Sequence, residues 1–567
     1  MSLVPLFILY YELLTKAFKQ RGGQLGIQVT GQSERISHLL YADDILVFAE
    51  ATRNNTILIL RLLESYCGWT GQKINGGKSA ILFNRKCPVW RKNMVAKVVG
   101  FRKVTSLEYL KFPLTIYKPK AADFGKLIKN VHDKTNLWGK KHLSFAARAL
   151  LIKTSLLTVP MYLSTHIMVP KSILHSIEKI ARKFMWQKDS NSRGMHYVAW
   201  KELCQSRNQG GLGFYCLEKW QSALRARLAW DMIQNSESLL NKVLIAKYGS
   251  DVWCSVTESN VSITWKIIQD GAKALHPIIR WKIGDGQSIN VLNDMWILDR
   301  KIANWPTFVN MEMVDNVNVS SLLDSSLQWD MKAMEDCFGK ILGQRIKAIT
   351  TNNGNGVDSP ELCYSRSSLT VTAMAYRASI DIGGYPFVWF DKLKLHPREI
   401  FFWWRVLKKA ISNNSWMFHR GLSESMLCPW GCNEEETLDH CITQCNKLRQ
   451  VISILGKWGF GIPCVNFLEE LLRELGDCVN KNTGIGCIYY YVVYQLWRAH
   501  NDLRHGRSYQ SPSVIAATAL SLFPRPCRTP ILEQWSIIQP SGLPSHKLWC
   551  PPPLQVGLSS TLMRLLS

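Results

Sequence analysis

The stretch HLLYADDILVFAEA, His38 to Ala51, sets two adjacent carboxylates, Asp43 and Asp44, between apolar runs. Leu39, Leu40 and Tyr41 precede them; Ile45, Leu46, Val47 and Phe48 follow. The β-branched and aromatic content predicts two short strands joined by a tight acidic turn. Two readings of that turn stay open on these residues alone. One is a solvated loop tip, because Asp is an ordinary turn residue. The other is a metal site, in which paired carboxylates hold divalent ions for nucleotidyl transfer. Mg²⁺ takes hard oxygen ligands of this kind.

Working outward, the chain is long enough at 567 residues for several cores, and 47% apolar content is that of a globular protein. Its formal net charge of +26 is unevenly spread. Residues 81–230 hold 28 Lys and Arg against 7 Asp and Glu. Such a field attracts polyanions, and nucleic acid is the usual one. A membrane surface would ask for an apolar anchor beside the basic cluster. CIYYYVVYQLW (Cys487–Trp497) is too short to span a bilayer. MSLVPLFILYYELL lacks a basic leader and is interrupted by Glu12, so it predicts no signal peptide. It predicts a buried helix to Gln20, stopped by Gly22 and Gly23. The 16 cysteines are scattered, as expected of reduced thiols in the nucleus or cytoplasm.

The patterning divides the chain into five segments. Residues 1–118 alternate helix and strand. Residues 119–245 turn helical and basic, with Lys and Arg interleaved with Trp138, Trp186, Trp200 and Trp220. Those charges suit either a solvated face or a face that tracks a phosphate backbone. Residues 246–366 form a connector. In it RWKIGDGQSINVLNDMW (Arg280–Trp296) predicts two strands around a Gly-Asp-Gly turn, and 305–365 predict a weakly patterned linker. NQGGLGF (Asn208–Phe214) lacks the P-loop lysine and reads as a turn. Residues 367–455 hold a Cys/His cluster, and 456–567 a helical tail.

The cluster is LCPWGCNEEETLDHCITQC, Leu427 to Cys445. Cys428, Cys432, His440 and Cys445 follow the pattern C-x3-C-x7-H-x4-C. Zn²⁺ favours four such ligands in tetrahedral closure. Cys441 competes for the fourth place, but along a helix it points away from a ligand at His440. The bland alternative is four buried side chains in a reducing compartment.

HLLYADDILVFAEA resembles the catalytic hairpin of reverse transcriptases. CGWTGQKINGGKS (Cys67–Ser79), EYLKFPL (Glu108–Leu114), LSFAARALLIKTSLLTVPMY (Leu143–Tyr162), KFMWQ, HYVAWKELC, GGLGF and WKIGDGQSINVLNDMW extend the likeness to the non-LTR (LINE-type) retrotransposon enzymes of plants. FFWWRVLKKAISNNSWMFHRG (Phe401–Gly421) and EEETLDH resemble that family's zinc-binding module. The ordered series runs, with gaps, from about residue 5 to 553. Lys111, Ala147 and Leu292 depart from a usual Gly, Gly and Trp, and C-x3-C is one residue longer than the family's frequent C-x2-C.

The resemblance implies a multi-domain α/β plus mostly α fold: a partial reverse-transcriptase palm, a helical thumb-like region and a small zinc-binding module. It implies an RNA-directed DNA polymerase in which Asp43 and Asp44 hold Mg²⁺, and Cys428, Cys432, His440 and Cys445 hold Zn²⁺. RNA and DNA are the implied partners, with Lys73, Lys78, Lys140, Lys141, Arg148 and Lys153 as candidate contacts. A third, upstream Asp normally completes the polymerase site. Residues 1–42 contain no Asp, and their only acids are Glu12 and Glu34. The expectation is therefore a truncated enzyme, inactive alone, with an upstream fragment as a further partner. KLWCPPP (Lys547–Pro553) resembles the linker into a ribonuclease H domain, whose carboxylates 534–567 lack. Two alternatives stay open: a non-catalytic nucleic-acid-binding protein, and a zinc-module adaptor for protein partners.

Overall fold

In the computed structural model, the described residues run from 4 to 523. Outside them lie 29–30, 32–34, 116, 118, 140–142, 188–194, 254–260, 298–300, 305–308, 350, 352–355, 364–367, 381–385, 393–394, 463 and 481–484. Glu34, Lys140, Lys141 and the KLWCPPP segment fall outside the described residues.

Helix α1 (Val4–Arg21) leads into hairpin β1 (His38–Tyr41) and β2 (Asp44–Val47), then α2 (Arg53–Thr70), β3 (Ala80–Leu82), α3 (Val89–Val99), β4 (Arg102–Val104), β5 (Ser106–Tyr109) and β6 (Phe112–Thr115). A helical stretch follows: α4 (Gly125–Trp138), α5 (Phe145–Leu151), α6 (Met161–His166), α7 (Lys171–Trp186), α8 (Trp200–Leu203), α9 (Leu217–Gln234), α10 (Leu239–Tyr248) and α11 (Ile263–Leu275). Next come β7 (Ile279–Lys282), α12 (Met311–Val314), α13 (Met331–Lys347), β8 (Ser359–Leu362) and α14 (Val371–Ile380). The last helices are α15 (Pro397–Leu407), α16 (Asn414–Phe418), α17 (Asn446–Lys457), α18 (Leu468–Asn480), α19 (Ile485–Arg504) and α20 (Pro512–Ser521). Among the described residues every sheet is a strand pair: β1–β2, β5–β6 and β7–β8 antiparallel, β3–β4 parallel. The observed fold is thus mixed and mostly helical, with small sheets.

The chain forms two compact units. The first comprises Met1–Lys140, Leu151–Phe184 and Gly213–Ile382; the second comprises Lys141–Leu150, Met185–Leu212 and Gly383–Ser567.

In the first unit, α1 and α2 close over the β1–β2 hairpin through Leu14, Ala17, Phe18, Leu25, Leu62 and Tyr66. Helix α2 starts where the Thr52 hydroxyl accepts from the Asn55 amide, and it ends on Gly71 at φ 70°. Helix α1 is half-buried rather than fully buried as expected: Leu14 is enclosed while Leu9 and Leu13 face outward. A second core joins α9, α11 and α14 around Trp265. Gly271 lets α11 approach α9, since a Cβ there would sit 2.3 Å from the Arg225 carbonyl oxygen. Arg225 is buried beside it and pairs with Asp270 at 2.8 Å.

The connector departs from expectation twice. Gly284–Gly286 does not turn a local hairpin, because β7 pairs instead with β8 far along the chain. The loop folds over the buried Asp358 carboxylate, which accepts from the amides of Gly284, Gly286 and Ser288 at 2.8–2.9 Å. The stretch predicted as a weakly patterned linker supplies Val314, Val319, Leu322, Met334, Phe338 and Ile346 to a third core around Trp296.

In the second unit, α15 packs on α19. Trp403 donates through Nε1 to the Tyr490 carbonyl at 3.1 Å, and Phe402 meets Tyr494 and Trp497. The apolar run at Cys487–Trp497 lies within α19 and is largely buried on all faces. Among the described residues no helix is long and apolar enough to cross a membrane. Ser206–Gly211 of NQGGLGF's neighbourhood is a turn as expected, closed by the Gly211 amide on the Ser206 carbonyl at 2.9 Å.

Candidate metal centre

Cys428 and Cys432 sit on a tight knuckle in the second unit. Leu427 and Glu435 form a short antiparallel bridge. The Cys428 amide donates to the Glu434 carbonyl, and the Gly431 amide to the Cys428 carbonyl. Gly431 at φ 77° and Asn433 at φ 57° turn the chain back. The extra residue of C-x3-C is absorbed in this turn.

His440 and Cys445 are five residues apart, which an α-helix does not place on one face. The chain solves this with a π-helical turn, His440–Gln444, closed by the Cys445 amide on the His440 carbonyl at 2.8 Å. Residues i and i+5 then face the same way. The ligand atoms of Cys428, Cys432, His440 and Cys445 all lie within 4.8 Å of one another. The Cys432 and Cys445 sulfurs are 3.8 Å apart. Zn–S bonds of about 2.3 Å in a tetrahedron put two sulfurs about 3.8 Å apart, so the spacing suits zinc.

The chemistry of the cluster agrees. Hydrogen bonding from the Cys428 thiol, aided by His440 and the first-turn amides of α17 at Lys447 and Leu448, holds Cys445 down to about 4. Cys428 is pushed up in exchange. Cys445 is thus the sulfur most readily ionised, and a divalent cation would let the others follow. Glu434 reaches His440 Nδ1 at 3.0 Å, which leaves Nε2 for a metal and orients the ring. Cys441 does not join. Burial and the Glu436 carboxylate push its thiol well above the ordinary range.

Beneath the cluster, the Glu436 carboxylate lies 2.5 Å from His500 Nε2, and both side chains are buried, Glu436 only 1% exposed. Glu436 also accepts the Asn414 amide at 2.7 Å, and Trp497 stacks on His500. The Tyr489 hydroxyl donates to the Ile442 carbonyl inside the π turn at 2.8 Å. Asp439 accepts the Leu468 amide at the start of α18. Helices α17, α18 and α19 are therefore fastened to the ligand loop. Nothing in the local spacing of the Glu434–Glu436 run distinguishes its buried member from its exposed ones.

Residues 373–451 match the model of the zinc-binding family found in reverse transcriptases. An Arabidopsis thaliana protein that carries a ribonuclease H name is 25% identical over 401 residues, covering 67% of this chain and 64% of that relative. An uncharacterised mitochondrial protein of Arabidopsis thaliana is 31% identical over 147 residues, 25% of this chain and 95% of its own length. The chain belongs to the plant retrotransposon proteins related to reverse transcriptase.

In this reverse-transcriptase-related chain the YADD hairpin is built in the first unit. Tyr41 pairs with Asp44, leaving Ala42 and Asp43 as a two-residue turn. Ala42 takes φ 48°, a left-handed value unusual for a residue with a Cβ. Asp43 and Asp44 are both exposed. Their field reaches two hydroxyls: burial and then both carboxylates raise Tyr11 of α1, and burial and then Asp44 raise Tyr109 of β5. The β5–β6 turn keeps its two-residue form despite Lys111, which accepts φ 64° beside Leu110 at φ 50°.

The candidate basic residues separate. Lys73 and Lys78 are exposed in the first unit, and Lys153 is half-buried. Arg148 corrects the expectation of a phosphate contact. It is buried in the second unit, and its guanidinium is spent on the carbonyls of Leu143 and Gln187.

Proposed function

We propose that this chain is the part of a LINE-type RNA-directed DNA polymerase that handles template and primer, and that by itself it binds nucleic acid without extending a primer. The observation that carries the reading is the four-ligand cluster at Cys428, Cys432, His440 and Cys445, inside a segment that matches the reverse-transcriptase zinc module. RNA and DNA are the partners, drawn by the basic excess of residues 81–230. Zn²⁺ is the structural ion.

Asp43 and Asp44 offer hard oxygens at an exposed, strained turn and would hold Mg²⁺, which supplies charge to the attacking and leaving oxygens in such enzymes. Among the described residues no third carboxylate joins them. Glu12 is engaged with Lys16 at 3.3 Å. Two carboxylates balance only part of the charge of two divalent ions, so positioning and charge stabilisation both fall short.

The test is binding followed by primer extension. The full chain should shift labelled RNA and DNA with an affinity that falls linearly with salt on logarithmic axes. With Mg²⁺ or Mn²⁺ and a homopolymer template it should add no nucleotides, and a companion fragment that supplies a third carboxylate should allow addition. Extension by the chain alone that vanishes on Asp43→Ala and Asp44→Ala would overturn the proposed inactivity. Salt-insensitive binding, or none, would overturn the nucleic-acid reading.

A further inference from the structure

The motifs above leave one exposed patch unused. Residues 84–103 carry seven Lys or Arg (Arg85, Lys86, Arg91, Lys92, Lys97, Arg102 and Lys103) and no acid. They run from just past β3 through helix α3 and into strand β4 in the first unit. In the middle of this field stands Trp90, 64% exposed, beside the equally exposed Val89. A large aromatic left in water at a basic surface contributes nothing to a core.

Its surroundings are ordered along the helix. Trp90, Asn93, Met94 and Lys97 follow at spacings of three and four, so they share one face of α3. Arg91 lies over the Trp90 ring, 5.2 Å from its centroid. Lys103 joins the row from β4, its Nζ 2.7 Å from Asn93 Oδ1. The result is one flat ring flanked by cations over about two helical turns, roughly 10 Å.

We propose that Trp90 is a stacking platform for an unpaired base of single-stranded nucleic acid, with Arg91, Lys97 and Lys103 holding the flanking phosphates. The proposal rests on the nucleic-acid reading above and deepens it. Charge selects a polyanion. The exposed ring selects one whose bases are free, because a duplex keeps its base faces stacked on each other. Stacking accepts any base and tells RNA from DNA poorly, so the shared chemistry is a single strand of either kind.

The experiment uses the full chain and four labelled probes: single-stranded RNA, single-stranded DNA, and a duplex of each. Trp90→Ala should weaken single-strand binding about ten-fold, the scale of one base–aromatic stack, and leave duplex binding and the salt slope unchanged. Trp90→Phe should recover most of the loss. The double substitution Arg91→Glu with Lys97→Glu should instead flatten the salt slope for every probe. In the unaltered chain, a photo-reactive single strand should crosslink to the peptide that contains Trp90. A chain that binds no probe would sink the broader nucleic-acid reading. A chain that binds all probes with steep salt dependence, yet is unaffected by Trp90→Ala or crosslinks elsewhere, would overturn this inference alone. If single-strand and duplex binding drop equally in Trp90→Ala, the ring serves the fold and the inference is again overturned. RNA and DNA arms that differ would name the natural strand.

Discussion

The cysteine knuckle and the YADD hairpin make opposite use of the chain. At the knuckle, four ligands come from the eighteen residues Cys428–Cys445, and one π turn brings them to a common centre. At the hairpin, two carboxylates are held outward on a strained turn, and the field they cast falls on tyrosines from other elements. The first set is gathered within its own loop, whereas at the second no further carboxylate joins the pair among the described residues. A site whose ligands are local is assembled with its own loop. A site whose ligands are distributed inherits every gap in its surroundings.

The sharpest way to break this contrast is to attack the cysteine knuckle. Cys428→Ser, Cys432→Ser or His440→Ala in the full chain should abolish stoichiometric zinc, with loss of on the order of 10 kcal/mol of apparent metal affinity, and chelation should loosen the module. Metal analysis and circular dichroism before and after chelation measure both. Cys441→Ser should keep its zinc. If Cys441→Ser costs more metal than Cys445→Ser, the ligand set is wrong and the contrast with the hairpin dissolves.

A smaller effect sharpens the claim that the site is anchored from below. Glu436→Ala leaves His500 buried without its partner and the Asn414 amide without its acceptor. Leaving buried polar groups without partners costs about 1–3 kcal/mol, read as a lower urea midpoint for the second unit, with zinc stoichiometry unchanged when the protein is folded. An unaltered midpoint would mean that the ligand loop stands free of α19.

The smallest effect belongs to the hairpin. Ala42→Gly removes the left-handed strain but adds chain entropy in the unfolded state. The net gain should be about 0.5 kcal/mol. Hydrogen exchange of the β1–β2 amides is sensitive enough to see it. Slower exchange supports strain held at an acidic tip, and faster exchange refutes it.

What could be read from residue order follows the same division. The strand pair around Asp43 and Asp44 and the Cys/His set were legible because each is decided within one or two turns of chain. The π turn was not, since five-residue spacing alone does not say whether a helix will widen to accept it. Arg148 was misread because a basic residue beside Phe145 looks the same whether it faces phosphate or caps a helix end. The β7–β8 pairing and the core around Trp296 were hidden for a further reason: their partners are separated by long stretches of weak periodicity, and only the folded chain brings them together. Glu436 and His500 lie 64 positions apart in sequence, and neither announces the other.

The β7–β8 pairing has an evolutionary consequence. Chain that leaves Lys282 returns at Ser359, directly alongside. Described residues between them close on an apolar interior of their own, and the Asp358 carboxylate seals the mouth by gathering amides from the loop that follows β7. Such an excursion behaves as a cassette: its two ends meet, so it can be exchanged, lengthened or removed with little demand on the rest of the fold. Those same amides, already filled by an internal anion, are closed to phosphate. A glycine-rich loop that looks outwardly like a ligand cradle is the latch of an insert.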